Sequence, residues 1–284
     1  MLEKINLKFI TVVRNDIDGL GKTINSIINL AKYSKNLFIT VFIQDGLSED
    51  NTLLFARNIV EKNKIDNIRF SISSESDNGI FDAMNKPLKF LKQNDLVCYM
   101  NAGDIISEEL NYDLFNESIQ TFFESESKIC AFRSKNFYSD IHYFMPPKKI
   151  KTNKDFSKWI TNNTPVHQSI IFKFEENTPL LYSTKFKIQS DTLLIYNYIN
   201  KFGFPIFFNN TFCNFELGGL SNSYKSFSKV LLQIKEQKLI SELRGEKEIY
   251  IYLRNLSLFL KFFLHNIFGK NFHRIHAVSK YFFK

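Results

Sequence analysis

The chain has 284 residues, of which 44% are hydrophobic and 23% charged, and a net charge of +8. That supplies a packed core for one large α/β domain with an appendage, or at most two small domains. Its three cysteines, Cys98, Cys130 and Cys213, form no CxxC pair, so neither a zinc site nor a disulfide framework is indicated, and a reducing cytosol is the natural setting.

Residues 7–13 (LKFITVV) read as a first strand rather than a signal peptide, because the apolar run is short and closed by Arg14-Asn15-Asp16. Leu20, Ile24, Ile27, Ile28 and Ala31 then fall at helical spacing and predict a helix over 19–33. A second strand, 37–43, ends at Gln44-Asp45-Gly46 and leads into a helix over 48–63 with acids in its first turn. A third strand spans 68–72 and a third helix 80–91, and a fourth strand, 95–100, ends at Asn101-Ala102-Gly103-Asp104. Alternating apolar strands and helices imply a parallel sheet wound by right-handed crossovers, with its ligand site beyond the carboxyl ends of the strands. The acid and amide clusters fall at those ends.

Beyond residue 107 the pattern weakens. A helix over 107–124, strands near 128–134 and 140–145, a polar Lys-rich loop over 148–158, a strand over 169–173 and a helix over 192–200 are expected. Phe215-Glu216-Leu217-Gly218-Gly219 reads as a turn into a helix over 225–246.

No GxGxxG follows the first strand and there is no Walker A loop, which excludes the usual dinucleotide and P-loop sites. A nucleotidyltransferase would need a glycine-rich loop with a catalytic cation after strand one, which 15–21 (NDIDGLG) does not supply. Acids at strand ends point instead to metal-bridged recognition of a diphosphate.

The segments TVVRND (11–16), DGLSEDNT (45–52), SESDNGIFDAMNK (74–86) and MNAGD (100–104), followed by His167-Gln168, Ser190-Asp191 and FELGG (215–219), resemble family 2 glycosyltransferases of the GT-A fold. They are most similar to the branch that builds bacterial exopolysaccharide and O-antigen units, and the resemblance covers roughly residues 7–222. It implies a catalytic domain over 1–222, with a mostly parallel Rossmann-like sheet flanked by helices, and a helical basic extension over 223–284. It also implies that Thr11, Val13, Asn15, Asp45, Asp77, Asn78, Gly79, Asn85, Asn101 and Ala102 form the nucleotide-sugar site. Asp104 would be the ligand of Mn²⁺ or Mg²⁺, Asp191 the general base of an inverting transfer, and His167, Gln168 and Glu216 would contact acceptor or substrate. The family's acid-rich metal motif reads Asn101, Gly103 and Asp104 here, with one ionisable ligand. That departure motivates a second reading, a non-catalytic glycosyltransferase-like partner at the membrane. Local rivals also stand: Asp104 as cap of a helix starting near Ser107, Asp45 as a turn residue, Asp191 as a helix cap, and His167 as a buried hydrogen-bonded histidine.

The charge is uneven. Residues 225–284 carry 12 Lys and Arg against 4 Asp and Glu, while the 25 bases and 25 acids before them cancel. The stretch 249–269 is long enough to cross a bilayer but is interrupted by Arg254, Lys261 and His265, which favours a helix lying in the interface over one that spans. Packing on its own domain or on a dimer partner is the alternative. The resulting expectation is a protein on the inner face of the cytoplasmic membrane, acting on a glycan or lipid-linked acceptor. The body has no basic stripe, so nucleic acid is not expected as a partner.

Overall fold

The first strand, β1 (Ile5–Val13), sends Leu7, Phe9 and Val13 into one apolar cluster and Ile10 and Val12 into another. A strand buried on both faces needs a continuous apolar run rather than alternation, which is what LKFITVV provides. β2 (Leu37–Asp45), β3 (Ile68–Ser74) and β4 (Leu96–Tyr99) lie parallel to it in the order β3-β2-β1-β4. Val13 stands opposite Asp45, and Asp45 opposite Ser74, so the polar clusters that follow three strands emerge side by side. This computed structural model describes residues 5–63, 65–138, 141–161, 163–178, 180–216 and 226–269.

The crossovers are α1 (Ile17–Tyr33), α2 (Thr52–Lys62) and α3 (Ile80–Asn85). The helix expected over 80–91 is shorter. Pro87 cannot donate to an α-helical ladder, and the chain tightens into a 3₁₀ turn over Lys86–Phe90. The sheet continues through β5 (Ile105–Ile106), β6 (Ile129–Tyr138), β7 (Ile141–Met145), β8 (Ile170–Lys173) and β9 (Ile206–Glu216), in the order β4-β8-β6-β9-β5 with β7 paired to β6. It is a curled, mostly parallel sheet, flanked among the described residues by eight helices: α1–α3, α4 (Tyr112–Glu124), α5 (Asn153–Ile160), α6 (Ser190–Phe202), α7 (Phe227–Leu243) and α8 (Glu248–Phe268). One core packs α1 and α4 on the sheet through Leu20, Ile24, Phe115 and Ile119; the other packs α3, α5 and α6 through Met84, Phe156, Leu194 and Tyr198.

Three expectations change in the second half. The Lys-rich stretch 148–158 is not all loop: α5 starts inside it, capped by the Thr152 hydroxyl accepting from Asp155 N at 3.2 Å, and buries Phe156, Trp159 and Ile160. The helix expected from 107 begins at Tyr112, where the Asn111 side chain accepts from Leu114 N at 3.0 Å. The turn expected from Phe215 is still strand through Glu216, the end of the eleven-residue β9, an element not among those expected; Asn209 and Asn210 interrupt its apolar run. Both amides have work in the fold. Asn209 Oδ1 accepts from the buried Arg133 guanidinium at 2.5 Å, and Asn210 donates to Asn111 O at 2.9 Å. Burial lowers the Arg133 pKa to about 10, and the guanidinium is held by oxygens of Pro146, Ile150 and Asn209.

The helix expected over 225–246 is α7, and Gly245 at φ +62 turns the chain into α8. This hairpin is not a loose appendage. Glu236 on α7 is 4% exposed, and its carboxylate accepts the backbone N–H groups of Lys187, Ile188 and Gln189 at 2.6, 3.0 and 2.9 Å. Those are the residues just before α6, so the carboxylate also lies at the positive end of that helix. The Tyr196 hydroxyl donates to Leu243 O at 3.0 Å as a second tie. These contacts run across the expected division at 222/223.

Glu236→Ala leaves three N–H donors without their acceptor, a loss on the order of 3 kcal/mol. A melting temperature lower by roughly 5–10 °C is expected; an unchanged one would mean that the hairpin is not fastened by this contact.

Candidate active site

Two groups of residues assemble beyond the carboxyl ends of the parallel strands. The first is a braced rim. Asp45, 1% exposed, accepts from Ser48 N at 3.1 Å, from the Ser48 hydroxyl and from the Ser74 hydroxyl at 2.6 Å. Ser48 Oγ in turn accepts from Asn15 N at 2.8 Å, and Asn15 Oδ1 accepts from Glu49 N at 2.8 Å. These bonds hold Asn15 at φ +50 and Leu47 at φ +54, left-handed conformations that the surrounding structure must impose. The Asp77 carboxylate lies against Gly46, where a Cβ would approach its Oδ2 to 2.7 Å. Asp77 also accepts from Gly79 N at 2.9 Å, while Asn78 N donates to Asp82 at 2.9 Å.

Three residues expected to touch the nucleotide are buried or already bonded within the fold. Thr11 (0% exposed) and Val13 (6%) are covered, so neither presents its side chain. Both amide atoms of Asn85 are taken by the Tyr182 backbone, at 2.9 and 2.8 Å, which fixes the segment beside α3. Asp45 is a brace with three hydrogen bonds, more than a simple turn residue.

The second group surrounds a cleft of about 420 Å³ between the turn after β4, the 3₁₀ turn His167–Ser169 and the start of α6. Asn101, Ala102, Asp104, His167, Gln168 and Asp191 all line it. The turn after β4 has its shape from α1. Gly103 is at φ +94 and its N–H donates to Thr23 Oγ1 at 3.0 Å, while the Thr23 hydroxyl donates to Asp104 O at 2.6 Å. Ala102 N bonds Val12 O at 3.1 Å, carrying the β1 register into the turn. Asp104 does not cap a helix: its Oδ2 accepts from Asn101 N at 2.9 Å, closing its own turn, and its Oδ1 accepts from Gln168 Nε2 at 3.0 Å.

Asp191 lies in the first turn of α6, with Oδ1 accepting from Thr192 N at 2.7 Å and Oδ2 3.6 Å from His167 Nδ1. The backbone at the head of that helix is already served by Glu236, which leaves the second Asp191 oxygen to the cleft side. Three buried polar atoms in these walls have no protein partner: Asn101 Oδ1, His167 Nε2 and Gln168 Oε1. A buried unpaired polar atom costs about 1–3 kcal/mol, so three around one cleft mark where a polar ligand belongs.

Among the described residues no group of three or more His, Cys, Asp or Glu gathers as a metal centre. A Mn²⁺ or Mg²⁺ ion here would rest on Asp104, Asn101 Oδ1 and His167 Nε2 and complete its shell from a diphosphate and water. Cations that bind through one or two carboxylates plus substrate phosphates accept such a donor set. Glu216 is exposed at the end of β9 and is not among the cleft walls; residues 217–225, including Gly218 and Gly219 of the expected turn, lie outside the described residues. Sequence reasoning missed Thr23, Ser48 and Ser74 as braces, and Asn136, Tyr143 and Lys187 as cleft walls. Ser48 and Ser74 stand inside the segments 45–52 and 74–86 without a role assigned to them, and the other four stand in no motif.

No protein-family model matches the chain, and no curated protein sequence does. Solved structures do. S. aureus TarS 1–349 superposes at a TM-score of 0.60 with 17% identity, covering 94% of this chain and 73% of that one. TarS 1–349 in complex with UDP gives 0.57 and 16%, covering 82% of this chain, which spans 65% of its length. The mannosyltransferase PcManGT from Pyrobaculum calidifontis, in complex with GDP-Man and Mn²⁺, gives 0.58 and 12%, covering 98% of this chain and 74% of that one. The chain thus has the fold of glycosyltransferases, at identities that define architecture and leave substrate open.

Desolvation holds the Asp104 carboxyl above its ordinary range, against His167 and the hydrogen bonds from Gln168 and Asn101. A raised folded-state pKa means that the stability conferred by the neutral acid is present at low pH and is lost as pH rises past the ordinary carboxylate value. Asp104→Asn, neutral throughout, is expected to raise the melting temperature of the ligand-free protein at pH 8 and to change it little at pH 3. A gain of about 2–4 °C corresponds to each kcal/mol relieved, and an equal or lower value at pH 8 would contradict the burial of a charged Asp104.

Proposed function

We propose that this chain is an inverting glycosyltransferase that moves a sugar from a nucleoside-diphosphate donor to a glycan or lipid-linked acceptor. The single observation that carries the reading is the cleft in which Asp104 and Asp191 share walls with three unpaired buried polar atoms, at the strand ends of a glycosyltransferase fold. The neighbours with UDP and with GDP-Man and Mn²⁺ support a nucleotide sugar and a divalent metal as the ligands to test first. The family 2 motifs 77–85 (DNGIFDAMN) and 100–104 (MNAGD) support the exopolysaccharide and O-antigen branch.

In the proposed reaction the acceptor hydroxyl attacks the anomeric carbon from the face opposite the nucleotide. The new carbon–oxygen bond forms as the bond to the diphosphate oxygen breaks, which inverts the centre. Asp191 Oδ2 takes the hydroxyl proton, and His167, 3.6 Å away, orients that carboxylate. Asn101 and Gln168 offer their unpaired oxygens to sugar hydroxyls or to the metal shell. A bound Mn²⁺ or Mg²⁺ would offset diphosphate charge. Asp191→Asn should retain nucleotide binding and lower transfer by about 10²–10⁴-fold. Transfer at the parent rate would remove Asp191 as base, and the absence of turnover with every donor and metal would favour the non-catalytic partner, the reading prompted by a lone acid at Asp104.

The C-terminal hairpin supports work at a membrane surface on the cytoplasmic side. No helix among the described residues is long and apolar enough to cross a membrane. α8 packs Ile251 and Leu258 inward and leaves Ile249, Leu253, Leu256, Leu260, Phe263 and Ile267 exposed. Their spacing of three and four residues makes one stripe, and Arg254 and Lys261 lie along the same helix. Four further bases, Lys270, Arg274, Lys280 and Lys284, lie outside the described residues. The double variant Leu256→Glu/Leu260→Glu alters exposed positions only and should keep its melting temperature while losing sedimentation with phosphatidylglycerol vesicles. Unchanged sedimentation would place membrane contact elsewhere.

A further inference from the structure

A second and larger cleft, about 660 Å³, lies away from the strand ends, between α5, α6 and the turn joining α7 to α8. Its character differs from the first. Ile160, Ile195, Ile199, Phe204 and Leu253 make an apolar wall, and Phe204 and Leu253 stand at its mouth 50% and 52% exposed. The rest of the lining carries Arg244, Lys247 and Arg254, with Glu246 as its one carboxylate. Arg244 stacks on the Tyr196 ring at 4.9 Å and has its Nη1 3.7 Å from Glu246 Oε1, while Arg254 contacts Glu246 Oε2. One carboxylate for three cations leaves an excess of positive charge beside an apolar wall. The Nε atoms of both arginines are buried with no hydrogen-bond partner. Burial also lowers both guanidinium pKa values, as it does for cations lacking a full set of anionic partners.

Apolar lining beside two guanidinium groups that share one carboxylate suits a molecule with a hydrocarbon chain at one end and an anion at the other. Guanidinium groups pair best with the flat oxygen faces of carboxylates and phosphates. The surroundings favour phosphate on a lipid: Leu253 belongs both to this cleft and to the exposed stripe of α8, so a chain leaving the cleft continues along an apolar helix face. We propose that this cleft is a lipid-phosphate site, in which Arg244, Arg254 and Lys247 hold the phosphate of a single hydrocarbon chain that lies along Ile195, Ile199, Phe204 and Leu253. Thr164 is a wall of both clefts, so a sugar borne on that phosphate would have the transfer site as its neighbour. That last step rests on the transferase reading; the lipid-phosphate site does not.

Calorimetric titration of the full chain with farnesyl phosphate, below its micelle concentration and without any sugar donor, tests the site. Farnesol and inorganic phosphate serve as the separated halves. Saturable binding at least about tenfold tighter than either half is expected, because chain and anion are held together only in the intact molecule. Arg254→Gln should weaken it about tenfold, the scale of one charge-assisted contact. Ser257→Trp fills the cleft from an exposed position and leaves the Arg–Glu cluster in place, so it should abolish binding at an unchanged melting temperature. Phosphatidylglycerol vesicles that displace farnesyl phosphate would identify the occupant as a bilayer lipid; vesicles that bind the chain without displacing it would identify a separate lipid phosphate. No saturable binding, or binding indifferent to Ser257→Trp, overturns the proposal while leaving the transferase reading untouched.

Discussion

The Thr23 hydroxyl holds the turn after β4 in place, and the candidate site depends on it. One side chain on α1 accepts from Gly103 N and donates to Asp104 O, joining the first crossover helix to the turn. Gly103 keeps φ +94 there, and Asp104 then reaches both Asn101 N and Gln168. Because β1 is buried on both faces, α1 cannot shift without disturbing the core it covers. The acid is thereby located by the packing of the first fifty residues, although it lies a hundred residues into the chain.

A similar economy operates at the rim. Asp45 is fully engaged by Ser48 and Ser74, so the loops after three strands are cross-braced before any ligand arrives. Preformed rims spare a ligand the entropy of ordering them. The cleft beside the rim is the opposite case. Its amide, imidazole and carboxamide atoms are left without partners and await something polar. Stability is spent there and conserved a few ångströms away.

The sequence made the first half of the fold readable because its strands are buried on both faces and appear as uninterrupted apolar runs closed by polar clusters. That same signal located Asn101–Asp104, whereas Asp191, in the first turn of a helix, was singled out by the resemblance alone. Where a buried polar group does structural work inside an element, the signal fails. Asn209 and Asn210 hid β9, and lysines around Phe156 and Trp159 hid α5. Asn85 illustrates the converse: its motif position suggested ligand contact, and its amide is engaged by the Tyr182 backbone. Glu236 gave no sign at all, being one of two acids among the three lysines of α7, and only its place in three dimensions reveals what it holds.

That contact has a mechanical consequence. The three N–H groups gripped by Glu236 lie two to four residues ahead of Asp191, on the same rigid stretch that begins α6. α7 is thereby coupled to the cleft wall: any displacement of the hairpin relative to the sheet would reach the backbone just ahead of Asp191. In the proposed transferase, the placement of the candidate base would then depend on what the hairpin rests against.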